Sequence, residues 1–367
     1  LRYKKKVTLD AAIIGGGPAG VAAALSLGQL IPGAAITIFD SGTGGRWRPG
    51  EILSPGAAEI LQALGCWPAF LESGFLESFG TRAAWGSPEP YENEFLFSLR
   101  GNGWRLDRAR FDDMLRQCAR AAGVAIHEGA RLLDSSADRA GWRLQFRGFE
   151  CRARFAIDAS GRSAAFAGQR GARRLPDDRL AAAFVLFDTE EAGDTLIEAA
   201  ENGWWYSAGI PGATAVAAFM TDSDLIRQSQ LYRAGRWNEL LAGSRHTRER
   251  LRHAIPKGPP AVFTAHSQHL SRMSGPGWVA AGDAATAFDP LSSQGILKAL
   301  RSGKLASFVA ADFLLRGIES HEKYQRLATA EYAAYRKAKF DYYAMERRWP
   351  DAPFWKRRGT WRAESPV

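Results

Sequence analysis

Cysteine and histidine are scarce in this 367-residue chain, with three of the first and six of the second. Cys66, Cys118 and Cys151 show no CxxC or other ligand-like spacing, which argues against a disulfide framework and a thiolate metal site. Reduced, buried thiols in a cytoplasmic protein are the expectation. His266 and His269 stand three apart without further ligands nearby in sequence, so no metal site is expected. An apolar run near ~20 residues is also missing, so no transmembrane segment is indicated. The basic start, residues 1–6, runs into an apolar stretch that Asp10 and a glycine cluster interrupt, and it does not read as a signal peptide. Leu1 is not an initiator Met, so residues are expected to precede it. There is no internal repeat, no long disordered linker and no nucleic-acid-binding motif, which leaves nucleic acid as the least favoured partner.

The composition, 46% hydrophobic and 24% charged, is that of an ordinary globular protein. The length suits a large core in two lobes. The net charge of +9 gathers in basic runs at 170–179, 245–257 and 356–362. These read either as solvated surface that also balances an anionic cofactor, or as a docking face for an acidic protein or a membrane.

The chain is organised around residues 10–40. The apolar run Ala11-Ala12-Ile13-Ile14 predicts a buried strand, Gly15-Gly16-Gly17-Pro18-Ala19-Gly20 a tight turn, and Val21 to Leu25 the helix that follows. Pro18 suits the first helical turn, which needs no N–H there. A second apolar run, Ala35 to Phe39, ends at Asp40, twenty residues past Gly20. This is the βαβ dinucleotide fingerprint. Gly15 permits the turn, Gly17 lets a pyrophosphate approach bare backbone, and Gly20 lets helix and strand pack closely. The helix N-terminus offers N–H groups and partial positive charge to the phosphates, and Asp40 is placed to accept a ribose hydroxyl.

The Gly- and Arg-rich loop 41–51 follows, and its Arg46 and Arg48 are either phosphate contacts or solvated loop residues. Residues 70–99 read as an excursion that carries strands of a second lobe. Asp107 or a neighbour caps a helix bearing Phe111, Leu115, Cys118 and Ala119, which Gly123 ends before the strand Val124–His127. Segments around Trp142–Phe146 and Cys151–Phe155 suggest an antiparallel pair outside the main sheet. Residues 181–265 are strand-rich, with a more helical stretch at 227–253. A helix is expected from Gly295 to about Gly317, and a last one from about Ser320 until Pro350.

Three separated segments point to one cofactor. Besides the fingerprint, Asp158-Ala159-Ser160-Gly161-Arg162 ends a strand where a turn faces the cofactor crevice. In the segment from Gly282-Asp283 through Asp289-Pro290 to Gly295-Ile296, a strand delivers an acid and a helix opens after a loop. Asp283 can accept a hydroxyl from a polyol chain. The N–H groups at Gly295 and Ile296 can stabilise negative charge on a ring oxygen. A flavin offers both, a ribitol chain and a ring oxygen that becomes anionic on reduction.

These motifs resemble the glutathione-reductase-type FAD proteins of the para-hydroxybenzoate hydroxylase and tryptophan halogenase superfamily, from Ala11 to about Gly317. The resemblance implies an α/β, two-lobe fold: a Rossmann FAD domain, a β-sheet substrate domain and C-terminal helices. It implies an FAD-binding unit at 1–78, 101–165 and 266–318, a β-rich substrate unit at 79–100 and 166–265, and a helical, aromatic and basic tail at 319–367. It carries Gly15, Gly17, Pro18, Ala19 and Gly20 to the pyrophosphate, Asp40 to the adenosine ribose and Arg108 to FAD. Gly282 and Asp283 go to the ribitol, and Pro290 with Gly295 and Ile296 border the isoalloxazine.

Within the superfamily, the stretches GWRLDRARFDDML, DASGR, GWWYSAGIP and GDAATAFDPLSSQG look most like the LodB/GoxB/QhpG branch. These flavoproteins are encoded with quinone-cofactor amine dehydrogenases and amino-acid oxidases. This implies an FAD-dependent monooxygenase, with O2 as co-substrate and NAD(P)H or reduced flavin as electron donor. A flavin C4a-hydroperoxide would pass oxygen to a tryptophan of a partner, the small quinone-bearing subunit polypeptide, on the way to cysteine tryptophylquinone. A separate reductase is a further possible partner, because Asp158-Ala159-Ser160-Gly161 stands where the hydroxylases use Asp-Gly towards NADPH. The halogenase WxWxIP motif is broken: Trp204-Trp205-Tyr206-Ser207-Ala208-Gly209-Ile210-Pro211 has the wrong spacing, and no lysine presents itself as the halogenase lysine.

Asp289 and Glu51 are candidates for proton handling, with structural roles in loop hydrogen bonds at least equal alternatives. A peptide substrate needs exposed aromatic and basic groups, which residues 79–104 and the tail can supply, although the tail aromatics suit packed core equally. Three other readings stay open: a halogenase or small-aromatic hydroxylase, a prenyl-chain reductase at a membrane, and a non-catalytic, flavin-stabilised partner-binding module.

Overall fold

The apolar run before the glycines closes β1 (Thr8–Ile14), Pro18 is the first residue of α1 (Pro18–Leu30), and β2 (Ile36–Asp40) returns parallel to β1. The structure, a computed structural model, describes residues 8–42, 50–94, 101–190 and 193–359. Helix α2 (Arg108–Ala121) starts where Asp107 Oδ1 accepts the backbone N–H groups of Ala109 and Arg110, at 2.9 and 3.1 Å. It buries Phe111, Leu115 and Ala119 on one face and stops before Gly123, whose φ of 83° is the left-handed turn that glycine adopts freely. The chain then adds Ala125–Glu128 to the sheet, parallel to β2.

The strand β3 (Phe149–Asp158) corrects one expectation. Its first half pairs antiparallel with Gly141–Phe146, and residues from Arg152 onward also run parallel to β1. The hairpin is therefore an extension of the main sheet, not a pair outside it. No turn residue stands between Phe155 and Ala156, and Phe155 to Asp158 are all buried, so the strand simply continues.

In register, Ile14 lies opposite both Asp158 and Phe39, and Asp158 lies opposite Ala280 of the strand Trp278–Ala280. The residues that end or follow four parallel strands, Gly15, Asp40, Ala159 and Ala281, thus emerge along one edge of the sheet. In open parallel sheets the crevice beyond the carboxyl ends of the strands is where ligands bind.

A second sheet is mainly antiparallel and runs Leu180–Asp188, Thr214–Asp222, β4 (Gly203–Ile210), Thr195–Ala200, Gly80–Ala84 and Tyr91–Glu94. Thr195–Ala200 pairs in parallel with Gly80–Ala84, so the later part of the excursion after residue 70 joins this sheet, while Leu76–Ser78 pairs with Gly103–Arg105 in a separate three-stranded sheet. Both faces are covered. Trp204, Val216 and Ala218 face a core that holds Ile52, Trp85 and Tyr343, while Trp205, Ala217 and Phe219 face one that holds Trp237 and Leu251. Burial on both sides explains why these strands read as continuous apolar runs.

Two long helices complete the chain. Helix α3 (Gly295–Arg316) packs along α1 and ends at Gly317, with φ 64°. Helix α4 (His321–Tyr343) ends seven residues short of Pro350, and a turn of chain carries Phe354 and Trp355 back into the second core. Phe354 is 0% and Trp355 5% exposed, and Trp85 and Trp104 are buried as well. The aromatics expected to greet a peptide in these segments are therefore mostly core, although Phe79 is 53% exposed. Trp361 lies outside the described residues. No described helix is long and apolar enough to cross a membrane.

Candidate functional site

The glycines of the fingerprint divide the work. Gly15 has φ 110°, and a Cβ there would lie 2.2 Å from the Ala159 carbonyl oxygen. A Cβ at Gly20 would lie 1.9 Å from the Gly15 oxygen. At Gly17, the N-cap of α1, nothing stands within 4 Å of the Cβ position. The first two allow close packing of backbone on backbone, while the third leaves open space over a helix N-terminus, which is what an approaching pyrophosphate needs. Pro18 and Ala19 form the first turn and are buried. The Asp40 carboxylate sits against Gly16, where a Cβ would be 2.8 Å from Oδ2, and its Oδ1 accepts the Gly42 N–H at 3.1 Å.

Five distant segments converge beside this turn. The Cβ position of Gly50 (φ 119°) lies 2.6 Å from Arg108 Nη1 and 3.9 Å from Ile296 Cδ1. Arg108, at the start of α2, is held through Nε to Asp112 at 2.8 Å. Gly282 (φ 63°) lets the turn after Trp278–Ala280 touch Ala19, and its N–H donates to Ser302 Oγ at 2.8 Å. Asp283 follows. Its Oδ1 accepts from Lys298 Nζ at 2.8 Å, and Arg162 Nε is 3.8 Å from Oδ2. Burial pushes this carboxyl up, but the charges of Lys298, Arg162 and Arg108 outweigh it and hold Asp283 below the usual carboxylate range. Among the described residues no side chain caps α3, so the N–H groups of Gly295 and Ile296 remain for a ligand. An open helix N-terminus, a cluster of cations and an ionised acid fit the phosphates and polyol of a flavin dinucleotide.

The two proton-handling candidates differ. Asp289, 1% exposed, has both oxygens engaged: Oδ1 accepts the Leu291 N–H at 2.9 Å, and Oδ2 accepts the Tyr343 hydroxyl at 3.0 Å. Burial pushes its carboxyl up against the pull of Lys339 and Arg358. This geometry anchors the loop that carries Pro290, the first residue of a single 3-10 turn. Glu51 is 5% exposed, and its Oε2 accepts the Tyr206 hydroxyl of β4 at 3.3 Å. Its Oε1 is buried without a hydrogen-bond partner among the described residues. Burial pushes Glu51 up despite its own backbone bonds, Tyr206 and Arg108, and pushes the Tyr206 phenol far up too. A buried acid with one unsatisfied oxygen, spanning the first lobe and the second sheet, has the chemistry of a proton carrier.

Arg48 lies outside the described residues. Asp158, at the crevice end of β3, turns inward: its carboxylate accepts the N–H groups of Ser160, Phe166 and Ala167 at 2.8–3.0 Å and so anchors the following short helix. Its role in the crevice is indirect, through Ala159 against Gly15.

Two residues of the site escaped the sequence reading. Lys298, 2% exposed, bonds Asp283 and the Thr286 carbonyl, and its signal was a lone lysine in the apolar stretch Ile296-Leu297-Lys298-Ala299-Leu300. Gly303 lets α3 meet α1, since a Cβ there would lie 2.2 Å from the Ala19 oxygen, and nothing local marked it.

The chain is similar to known flavin-dependent proteins. The sequence profile of the tryptophan halogenase family matches residues 88–366. The chain is 31% identical over 364 residues to LodB of Marinomonas mediterranea, named as an FAD-dependent oxidoreductase, covering 95% of this chain and 96% of LodB. It is 25% identical over 344 residues to the 1H-pyrrole-2-carbonyl-(peptidyl-carrier protein) chlorinase of Pseudomonas fluorescens, covering 81% and 74% of the two chains. Among solved structures, the flavin-dependent halogenase CmlS matches with a TM-score of 0.87 at 25% identity, over 98% of this chain and 68% of CmlS. QhpG, a peptidyl tryptophan dihydroxylase essential for tryptophylquinone cofactor biogenesis, matches in fold with a TM-score of 0.77 at 24% identity, over 98% and 80%. With a family profile over most of its length and a relative aligned nearly throughout, the chain belongs to the tryptophan halogenase family of flavin-dependent oxidoreductases.

Proposed function

We propose that the chain is an FAD-dependent monooxygenase that hydroxylates a tryptophan in a partner polypeptide, the small subunit precursor of a quinone-bearing amine dehydrogenase or oxidase. The product is a step towards cysteine tryptophylquinone, and the reaction takes place in the cytoplasm. The observation that carries the choice within the family is Lys298. It is the buried lysine beside the candidate cofactor site, and it is tied to Asp283 and the Thr286 carbonyl rather than presented to a substrate. The broken WxWxIP spacing of Trp204-Trp205-Tyr206 supports the same choice: in a regular strand Trp204 and Trp205 are buried in opposite cores.

Bound FAD would supply the activation of O2, with NAD(P)H, or a reductase and reduced flavin, as the source of electrons. The chain's own residues hold and orient. The N-terminus of α1 at Gly17 would take the pyrophosphate, Asp40 the ribose, and Asp283, steadied by Lys298, the ribitol. The first turn of α3 would stabilise negative charge on the ring. Glu51, its carboxyl pushed up by burial, would take up and release a proton between the lobes, and Asp289 with Tyr343 fixes the Pro290 loop. Indole is itself nucleophilic, so no strong base is required.

Purified protein, FAD, NAD(P)H with a reductase, O2 and the partner polypeptide, followed by mass spectrometry, test this reading. Oxygen gained on a partner tryptophan supports it; hydroxylation of free aromatic acids with no change in the partner sinks it. Halogenation is the second reading, favoured by the family profile and the likeness to CmlS. A chloride- or bromide-dependent product decides for it.

A further inference from the structure

An unbroken series of oxidisable side chains joins the candidate site to the surface. Tyr343, buried at the end of α4, donates to Asp289 Oδ2 at 3.0 Å and accepts from Trp204 Nε1 at 3.1 Å. Its ring centre lies 5.6 Å from that of Trp85, which is 2% exposed. Trp85 meets Tyr342 at 5.1 Å, and the Tyr342 hydroxyl lies 3.4 Å from that of Tyr91. Tyr342 and Tyr91 are both partly exposed.

Indole and phenol are the side chains most easily oxidised by one electron, and rings this close exchange electrons readily. A phenol loses an electron easily only when its proton has an acceptor at hand. Tyr343 has Asp289, and Tyr342 has the Tyr91 oxygen. The phenol–carboxylate contact that anchors the Pro290 loop thus also gives the Tyr343 proton a place to go. A second route leads from Trp85 to Trp355 at 5.3 Å and on to Trp349 at 6.4 Å. There the Arg348 guanidinium, held by Glu346, sits 4.5 Å from the Trp349 ring centre. A positive charge over a ring opposes removal of an electron from it. The Arg358 guanidinium lies over Tyr343 too, at 5.3 Å, but the Tyr343 phenol has the Asp289 carboxylate for its proton, whereas the Trp349 route ends without a phenol. The exit is therefore Tyr91.

We propose that Tyr343, Trp85, Tyr342 and Tyr91 form a relay that carries one oxidising equivalent from the flavin site to the surface and so protects the interior. This rests on the reading of the chain as an O2-using flavoprotein, whose misdirected turnovers yield peroxide-derived one-electron oxidants. Such an oxidant takes an electron from Tyr343, whose O–H bond breaks as its proton passes to Asp289. Trp85 returns an electron to Tyr343, and the proton comes back from Asp289. Tyr342 then reduces Trp85, its proton passing to the Tyr91 oxygen as the Tyr91 proton leaves to water, and Tyr91 then gives a hydrogen atom to Tyr342. A soluble thiol ends the sequence by giving a hydrogen atom to Tyr91, which leaves a thiyl radical.

The test uses FAD-loaded protein, with visible absorption showing that the flavin is bound and illuminated flavin serving as the one-electron oxidant. Electron paramagnetic resonance on frozen samples is expected to show a tyrosyl radical in the wild-type chain and in Trp349→Phe, and its loss in Tyr91→Phe and Tyr343→Phe. The surface variant Tyr91→Phe keeps the test decisive if Tyr343→Phe folds poorly. The relay is overturned if bound flavin yields no protein radical, if Tyr91→Phe leaves the signal unchanged, or if Trp349→Phe removes it. Failure to bind flavin at all overturns the monooxygenase reading first and the relay with it.

Discussion

At Gly20 an added methyl group would lie 1.9 Å from a carbonyl oxygen, while at Gly17 it would meet nothing within 4 Å. Gly17→Ala is therefore expected to leave stability within about 0.5 kcal/mol. It should weaken FAD binding by roughly tenfold, or about 1.4 kcal/mol, in a flavin fluorescence titration. Gly303→Ala should do the reverse of what helix propensity predicts. The substitution ordinarily gains about 1 kcal/mol in a helix, but contact with the Ala19 oxygen should turn this into a net loss of about 1–3 kcal/mol in urea unfolding. At Glu51 the sign of the pH dependence follows from burial. Its folded-state carboxyl titrates above the ordinary glutamate value, so the folded chain keeps a proton that the unfolded chain releases. The stability this contributes is present at low pH and is lost as pH rises from about 4.3 through the folded-state value. Glu51→Gln should flatten that part of the fall between melts at about pH 5 and about pH 8. Asp158 and Asp289, raised in the same direction, keep the remaining slope. An unchanged slope in the Gln variant would show that Glu51 is ionised in the fold.

At the scale of elements, the C-terminal segment shows how far local patterns reach. The apolar and aromatic spacing of α3 and α4 was legible, as were the Gly317 stop and the Asp107 cap, because each depends on a few adjacent residues. Whether Phe354 and Trp355 served a surface or a core was not legible, because that is decided by Tyr343 and Trp85, which pack against Trp355. Phe354→Ala is expected to cost about 3–5 kcal/mol in denaturant unfolding, as for a fully buried aromatic. Loss of partner affinity at unchanged stability would instead restore the docking role of the tail. The strand β3 teaches the same lesson from the other side. Its charged first half and apolar second half look like two segments, yet one strand crosses from a solvent-edged hairpin into the parallel sheet.

For the whole molecule, the positive charge is less available than its total suggests. In the run 170–179, Arg170 lies against Trp142 and Phe166. In 245–257, burial pushes Arg250 down to about 10, and its guanidinium donates to the Ser207 carbonyl. In 356–362, Arg357 and Arg358 both pair with Asp222, itself 2% exposed. These arginines serve internal contacts, an account that neither a solvated surface nor a docking face had anticipated. Arg358→Ala, which removes one partner of Asp222 and the cation over Phe354, is expected to cost about 2–4 kcal/mol. Added salt should change this loss little, because buried pairs are weakly screened.

The sequence by itself determined the nucleotide turn, the helices that flank it, and the acids that end the strands around it. Turn geometry, capping and hydrophobic period act over a few residues and leave their mark in adjacent letters. Tertiary structure alone decided which of those acids are available. Asp283 is held ionised by Lys298, Asp289 is closed off by Tyr343 from 54 residues away, and Glu51 meets Tyr206 across 155 residues. Burial and charge at a point are sums over every segment that arrives there, and no single stretch of the chain carries that sum.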